Sequence, residues 1–311
     1  MPHTIMQNPD LSVVIVSWNT RDLLSRCLAS IAAGQIALPG DTVEVIVVDN
    51  ASSDGSVDLV RSAFPWVSLV ENNANLGFAR ANNQGIALAH GRYVVLLNSD
   101  TEVQGDALAR LAGFADAHPE AGAVGPRLLN ADGSLQPSCH PMLTPAREFW
   151  RLLFMDPIRP LATYPLQRWG TVQPRQVEVI KGACMLLRCE ALAQVGALDE
   201  RYFIYTEEVD LCYRLAQAGW ELWWEPAARV VHFGGASTKQ VAQEMYVQLY
   251  RSKIQFYRKF GGARQAVQFK RLLRVAYWPR LVVAACAGLA SPRLAAQAST
   301  YRRLLSELPG M

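Results

Sequence analysis

The sequence has no run of the ~18 apolar residues that a membrane-spanning helix requires; its longest, residues 281–290 (LVVAACAGLA), is much shorter. Its six cysteines (Cys27, Cys139, Cys184, Cys189, Cys212 and Cys286) form no CxxC pair. That excludes a zinc framework or disulfide scaffold and points to a reducing compartment. The motifs GxxxxGK[ST], GxGxxG, HExxH and GxSxG are all missing, which removes the common P-loop, dinucleotide, zincin and hydrolase readings. Residues 1–10 (MPHTIMQNPD) lack the basic and apolar regions of a signal peptide. Repeats and low-complexity tracts are absent. What is present is ample apolar material, half of the 311 residues, so a disordered or collagen-like chain is excluded.

Acidic residues are scarcest towards the C-terminus. From Tyr246 onward there are 12 Lys/Arg against Glu307 alone, a balance of +11. The preceding 245 residues carry 18 basic and 26 acidic side chains. The net charge of +3 therefore averages an acidic body and a basic tail.

The first hundred residues alternate in pattern. Residues 11–18 (LSVVIVSW), 43–48 (VEVIVV), 67–70 and 93–97 (YVVLL) are β-branched or unbroken apolar runs, as strands buried on both faces should be. Between them, 21–33, 57–63 and 78–89 have helical spacing, and 105–117 follows. The alternation predicts a parallel, doubly wound α/β sheet, with Asp54 a candidate N-cap for 57–63. In such sheets ligands sit beyond the carboxyl ends of the strands. The polar clusters fall there: Ser17-Trp18-Asn19, Asp49-Asn50, Asn72-Asn73 and Asn98-Ser99-Asp100. Seven prolines break the pattern between 126 and 176, which predicts a long irregular lid or acceptor loop. Strands are expected at 177–180, 184–187, 221–224 and 228–233, and helices at 190–195 and 207–218. Helices then dominate: 243–260, 264–288 kinked at Pro279, and 292–308.

Several residues can carry chemistry. Asp49 can accept hydrogen bonds from a nucleobase or ribose, or serve only its turn. Asp100, on a strand end, suits a hard divalent ion if phosphate oxygens and water complete the shell; a polar turn is the alternative. Glu207-Glu208-Val209-Asp210 puts three carboxylates at a helix start behind aromatic residues. Mutual repulsion opposed by the helix dipole is one way to tune a general base, although acids are also ordinary in a first helical turn. His232 precedes Gly234-Gly235 and can be a ligand or structural. Lys181-Gly182 allows close backbone approach or marks a bulge. Trp223-Trp224 reads as core.

These stretches resemble inverting glycosyltransferases of family 2, with a GT-A fold. The resemblance is carried by VVIVSWN (13–19), VVDNASSDGS (47–56), NLGFARANNQG (75–85), YVVLLNSD (93–100), VIKGACMLLRCEAL (179–192), LDERYFIYTEEVDLCYRL (198–215) and ARVVHFGGAS (228–237). The rhamnosyltransferase-like members that build bacterial surface polysaccharide are the most similar. The resemblance implies a GT-A catalytic domain over 1–242, with a nucleotide-binding half at 11–125 and an acceptor and catalytic half at 126–242. A basic amphipathic helical extension follows at 243–311.

By the same resemblance, Asp49 contacts the base. Ser17, Asn19, Asn50, Asn75, Gly77, Phe78, Asn82, Asn98, Ser99, Lys181 and Gly182 belong to the nucleotide-sugar site. Asp100 and His232 would hold a divalent metal, Mn2+ or Mg2+, with Asn98 standing where the usual DxD motif has its first Asp. Glu208 would be the catalytic base, in a position where the family usually has Asp, so Glu207 remains a second candidate. The expected donor is a nucleotide-diphospho-sugar, dTDP-L-rhamnose above a UDP-hexose, and the acceptor is a glycan or lipid-linked hydroxyl. A non-catalytic nucleotide-sugar-binding protein and a sugar nucleotidyltransferase are the rival classes, the latter opposed by SWNTRD where a Gly-rich loop would stand. Arg264, Lys270, Arg271, Arg274 and Arg280, interleaved with aromatic and aliphatic residues, suggest that 264–311 touch an anionic membrane surface. A helical face packed on the domain or in a homo-oligomer is the other reading, and nucleic acid fits poorly. The expected location is cytoplasmic, peripheral on the inner face of the cytoplasmic membrane.

Overall fold

The computed structural model of the chain describes residues 9–34, 43–235, 238–289 and 291–311. The leader expectation at 1–8 and the last residues of the 228–237 and 281–290 segments lie outside the described residues. The first winding comprises β1 (Leu11–Ser17), α1 (Arg21–Ala33), β2 (Val43–Asp49), α2 (Ser56–Ala63), β3 (Ser68–Glu71), α3 (Phe78–Leu88) and β4 (Tyr93–Asn98). Next come β5 (Thr101–Gln104), α4 (Ala107–Ala117), β6 (Ala121–Leu129), β7 (Cys139–His140) and α5 (Pro145–Leu152). Then follow β8 (Arg175–Gln176), β9 (Val179–Ile180), β10 (Cys184–Arg188), α6 (Cys189–Val195), α7 (Glu207–Gln217) and β11 (Glu221–His232). The chain ends with α8 (Ala242–Gly288) and α9 (Pro292–Glu307).

The main sheet has the order β3-β2-β1-β4-β10-β6-β11-β5, with β8 pairing β11. It is mostly parallel: β1, β2, β3, β4, β6 and β11 point the same way, and β10, β5 and β8 oppose them. Val13, Val14 and Ile15 of β1 are fully buried, so each contributes about 2 kcal/mol of apolar burial. Helices cover both faces, and two large clusters of apolar side chains lie either side of the sheet. The six cysteines are all free thiols.

Local differences from the expected elements have identifiable causes. β6 runs through Pro126 to Leu129, because the ladder to β11 shifts register between Glu225 and Arg229 and absorbs the proline. The irregular stretch therefore begins later than expected, and it contains α5, capped where the Thr144 hydroxyl accepts from the Arg147 amide at 3.2 Å. The two strands expected at 221–233 are one bulged strand. Helix α2 starts from Gly55 in the left-handed region (φ 84°). Asp54 serves two helices: its carboxylate accepts from the Ser56 amide at 3.1 Å and the Arg21 amide at 2.8 Å.

The C-terminal helices pack as a hairpin. Gly262 has φ 71° and ψ −179°, a break that Pro279 does not cause. The second half of α8 folds back so that the Tyr277 hydroxyl meets those of Tyr246 and Tyr250 at 2.5 Å each. The Tyr257 ring packs at a tilt against that of Phe269, with ring centroids 4.7 Å apart. Helix α9 lies against both halves. One apolar cluster runs from Leu211 and Leu215 of α7 through Ile254, Phe269 and Leu273 to Leu304. Among the described residues no helix is long and apolar enough to cross a membrane.

Candidate active site

Register brings the polar strand ends together. Ser17 pairs across from Asp49, and Val16 from Asn98, so three carboxyl ends lie side by side. β10 runs antiparallel to β4 with Cys184 opposite Leu97, and the Asn98 amide donates to the Ala183 carbonyl at 3.0 Å. That ladder carries Lys181 and Gly182 to the same edge. A cavity of about 540 Å³ opens there. Asn50, Asn75, Gly77, Phe78, Asn98, Ser99, Asp100, Lys181, Gly182, Glu207, Glu208 and His232 line it.

Four candidates stand behind that lining. Ser17 and Ser99 join through Thr20 in a hydroxyl chain with steps of 3.1 and 2.9 Å, which ties the ends of β1 and β4. Asn82 is buried and donates to the Phe78 carbonyl at 2.8 Å, fixing the first turn of α3. Asn19 has φ 52°, and its side-chain oxygen accepts from the Ser53 amide at 2.8 Å. Asp49 is buried; Oδ1 accepts from the Ser52 amide at 2.8 Å, while Oδ2 has no protein partner. An unpaired buried carboxylate oxygen costs roughly 1–3 kcal/mol or more, a cost that a ligand donor would remove.

Asp100 and His232 meet because β5 and β11 are antiparallel, with His232 opposite Thr101. His232 Nε2 is 3.3 Å from Asp100 Oδ1. Gln136 fixes the imidazole tautomer. Its amide nitrogen donates to Asn130 Oδ1 at 2.8 Å and to the His232 carbonyl at 3.0 Å, so its oxygen faces His232 Nδ1 at 2.7 Å. Nδ1 therefore carries a proton toward Gln136, and Nε2 is the nitrogen turned to Asp100. Asn98 Oδ1 is buried with no protein partner. Asn98 Nδ2 lies 3.5 Å from His232 Nε2, so the donors brought together are one carboxylate and one imidazole nitrogen, which fit a divalent ion that takes its remaining ligands from phosphate and water. No cluster of three or more His, Cys, Asp or Glu occurs among the described residues, so an ion here would take most of its shell from elsewhere.

The three adjacent carboxylates divide their roles. Asp210 is fully buried and paired: it accepts from Arg214 at 2.6 Å, Lys259 at 2.6 Å and the Tyr202 hydroxyl at 3.2 Å. Glu207 is buried and Glu208 half-buried, and each has one carboxylate oxygen without a partner. Burial raises both carboxyls above the usual range, and for Glu207 the neighbouring Glu208 adds to it. Lys181 acts the other way on Glu208, while burial lowers the Lys181 ammonium itself.

The turn that aims these groups is strained. Tyr205 and Thr206 have φ of 70° and 72°, a conformation that costs a non-glycine residue about 1–3 kcal/mol. It is held from the start of α3, where the Phe78 amide donates to the Phe203 carbonyl at 2.6 Å. Gly77 (φ +87°) permits that approach: a Cβ there would lie 2.6 Å from the same carbonyl and 2.8 Å from the Phe203 ring. Gly77→Ala is expected to cost about 1–3 kcal/mol and to lower the melting temperature by several degrees. Turnover should fall further than stability, since the 203–206 turn must move. Calorimetry beside a rate assay checks this; an unchanged melting temperature and rate would refute the close-contact argument.

Trp18, His140, Phe203 and Tyr205, and Val241, Glu244 and Met245 at the start of α8, also line the cavity. His140 donates from Nδ1 to the Pro141 carbonyl at 2.8 Å. Burial, reinforced by Lys253, Lys181 and Arg151, pulls its pKa down to about 4. Sequence reasoning missed His140 and Gln136 because both lie in the proline-rich stretch, where no periodicity points inward. The aromatic run before Glu207 was the one available signal for Phe203 and Tyr205.

A doubly wound sheet whose carboxyl edge holds an acid–histidine pair in one cavity with a buried and a half-buried carboxylate defines a GT-A fold of the nucleotide-diphospho-sugar transferase type. The chain belongs to glycosyl transferase family 2, whose profile matches residues 12–194, and it is a glycosyltransferase. It is 33% identical over 247 residues, 73% of this chain and 77% of the relative, to the N-acetylglucosaminyl-diphospho-decaprenol L-rhamnosyltransferase of Mycobacterium tuberculosis. That places it with the rhamnosyltransferase-like branch. Among solved structures, the mannosyltransferase of Pyrobaculum calidifontis in complex with GDP-Man and Mn2+ superposes with TM-score 0.54 at 19% identity, covering 96% of this chain and 86% of that one. GalNAc-T7 with UDP, GalNAc and Mn2+ gives TM-score 0.55 at 18% identity, over 81% of this chain and 50% of that one. These two likenesses concern the fold.

Proposed function

We propose that the chain is an inverting, divalent-metal-dependent transferase that moves L-rhamnose from dTDP-rhamnose to a hydroxyl of a lipid-linked glycan in bacterial surface polysaccharide synthesis. The observation that carries this reading is that the Asp100–His232 pair and the Glu208 carboxylate line one cavity. Asp100 and His232 would hold the ion, which would neutralise charge on the departing diphosphate. Helix α3 has no acid in its first turn, so its positive end suits the same diphosphate. Glu208 takes the proton of the acceptor hydroxyl while that oxygen bonds to the anomeric carbon. The bond from that carbon to the diphosphate oxygen breaks on the opposite face, inverting the configuration. Asp49, through its unpaired oxygen, would read the base.

The name of the mycobacterial relative supports the rhamnosyl donor and the lipid-linked acceptor, and with them an anionic membrane surface as a partner. A thermal-shift screen of dTDP, UDP and GDP sugars with Mn2+ or Mg2+ tests the reading. At a hundredfold excess over Kd a ligand adds about 2.7 kcal/mol of stability, so dTDP-rhamnose with metal is expected to raise the melting temperature most. A larger shift with a UDP-hexose would move the donor to that sugar. Absence of turnover with any donor that binds would leave a nucleotide-sugar-binding protein.

A further inference from the structure

The exposed half of α8 and the end of α5 both carry exposed apolar side chains, and Arg280 of α8 joins the two segments. Beyond Gly262, Ala266, Phe269, Leu273, Tyr277 and Ala284 face inward, and the opposite stripe is exposed. That stripe is basic first, with Arg264, Arg271 and Arg274, and apolar afterwards, with Trp278, Val282 and Val283. Ion pairs at this end of the chain use Arg251 and Arg303 with Glu307, so the three stripe arginines stand outside them. The apolar part gains a second segment. The Arg280 guanidinium lies 4.9 Å from the centre of the Phe154 ring and also donates to the Leu152 carbonyl. Phe154 and Ile158 are each 76% exposed.

Phe154 is doubly anomalous. It follows α5 with φ 56°, at the position beyond a helix end where glycine is the usual residue. A bulky residue there is strained, and its ring lies in solvent. Water compensates neither cost, whereas an apolar phase removes the second. The hairpin also fixes where this face lies. Because Tyr277 sits beside Tyr246 and Tyr250, the residues after Tyr277 run past the first turn of α8, whose Glu244 and Met245 line the cavity.

We propose that Phe154 and Ile158, together with Trp278, Val282 and Val283, form a composite wedge that enters an anionic bilayer beside the cavity mouth, with Arg264, Arg271 and Arg274 on the headgroups. Apolar area and basic charge on one face together match such a surface. This deepens the lipid-linked acceptor reading: an acceptor anchored in the bilayer would reach Glu208 from the side that the wedge fixes.

The full chain is tested by co-sedimentation with vesicles of phosphatidylcholine alone and with phosphatidylglycerol added. Binding is expected on the anionic vesicles and should weaken with salt. The double variant Phe154→Gly, Ile158→Ser lies outside the C-terminal helices, and its glycine relieves the strained φ. It is expected to lose at least about tenfold in vesicle partition while keeping its melting temperature. Arg271→Glu with Arg274→Glu should lose binding to the anionic vesicles specifically. Unchanged partition of the Phe154/Ile158 variant would overturn the composite wedge, even if the arginine variant lost binding. A wild-type dimer in sedimentation velocity that the Phe154/Ile158 variant converts to monomer, without vesicle binding by either, would assign the face to a second copy instead. Donor thermal shifts on the same variants keep the two readings apart: they follow the sugar site and are expected to be unchanged.

Discussion

Glu208→Gln is expected to reduce turnover by about 10²–10⁴-fold, the usual contribution of a positioned general base, while the donor-induced thermal shift stays within error of wild type. The amide keeps the shape of the side chain but has no carboxylate to take a proton. Glu208 is favoured over Glu207 because it is the more open of the two and Lys181 faces it. Burial raises its pKa, so activity should fall on acidification at a higher pH than for a free glutamate, about 4.3. The effect on stability has the opposite direction. An acid whose pKa is raised by folding stabilises the fold at low pH, and that contribution is lost as pH rises through the raised value. The wild-type melting temperature should therefore fall as pH rises from the free glutamate value to the raised one, and Glu208→Gln should flatten that fall. Full activity in Glu208→Gln with none in Glu207→Gln would transfer the role to Glu207.

Asp100→Asn is expected to weaken Mn2+ binding, followed by electron paramagnetic resonance, at least about tenfold. Turnover should drop by about 10²–10³, as when an electrostatic partner of a leaving group is removed. The geometry behind this is the 3.3 Å approach of His232 Nε2 to Asp100 Oδ1, with Gln136 holding the tautomer. Gln136→Leu should lower Mn2+ affinity by about 10–100-fold without touching the ion, because the imidazole is then free to turn or to place its proton on Nε2. Wild-type affinity in Asp100→Asn would place the ion elsewhere.

Much of the nucleotide half was legible because its signals are local. Unbroken β-branched runs ending in Ser17, Asp49 and Asn98 make buried parallel strands, and parallel strands put their carboxyl ends at one edge. The end of one helical pattern at 260 and the start of the next at 264 fall on either side of Gly262, where the backbone leaves the helix, and Pro279 lies inside the second half. β5 was missed, since four residues after a polar turn carry little periodicity. The bulge at 225–229 hid the continuity of β11. In the 203–210 segment the sequence presents three equivalent acids. Lys259 and Arg214 take Asp210 out of play, and one of these partners comes from a helix about fifty residues further on.

Sequence alone determined the fold class, the edge on which the site lies, most of its polar residues and the basic character of the last helices. Each of these depends on periodicity, on short motifs or on composition. Tertiary structure decided which carboxylates line the cavity, which glutamine orients His232, and that Phe154 at the end of α5 meets Arg280 of α8. Those outcomes depend on register between strands and on helices packed from distant parts of the chain. Burial and neighbouring charge set the chemistry of a side chain, and both are properties of the packed molecule.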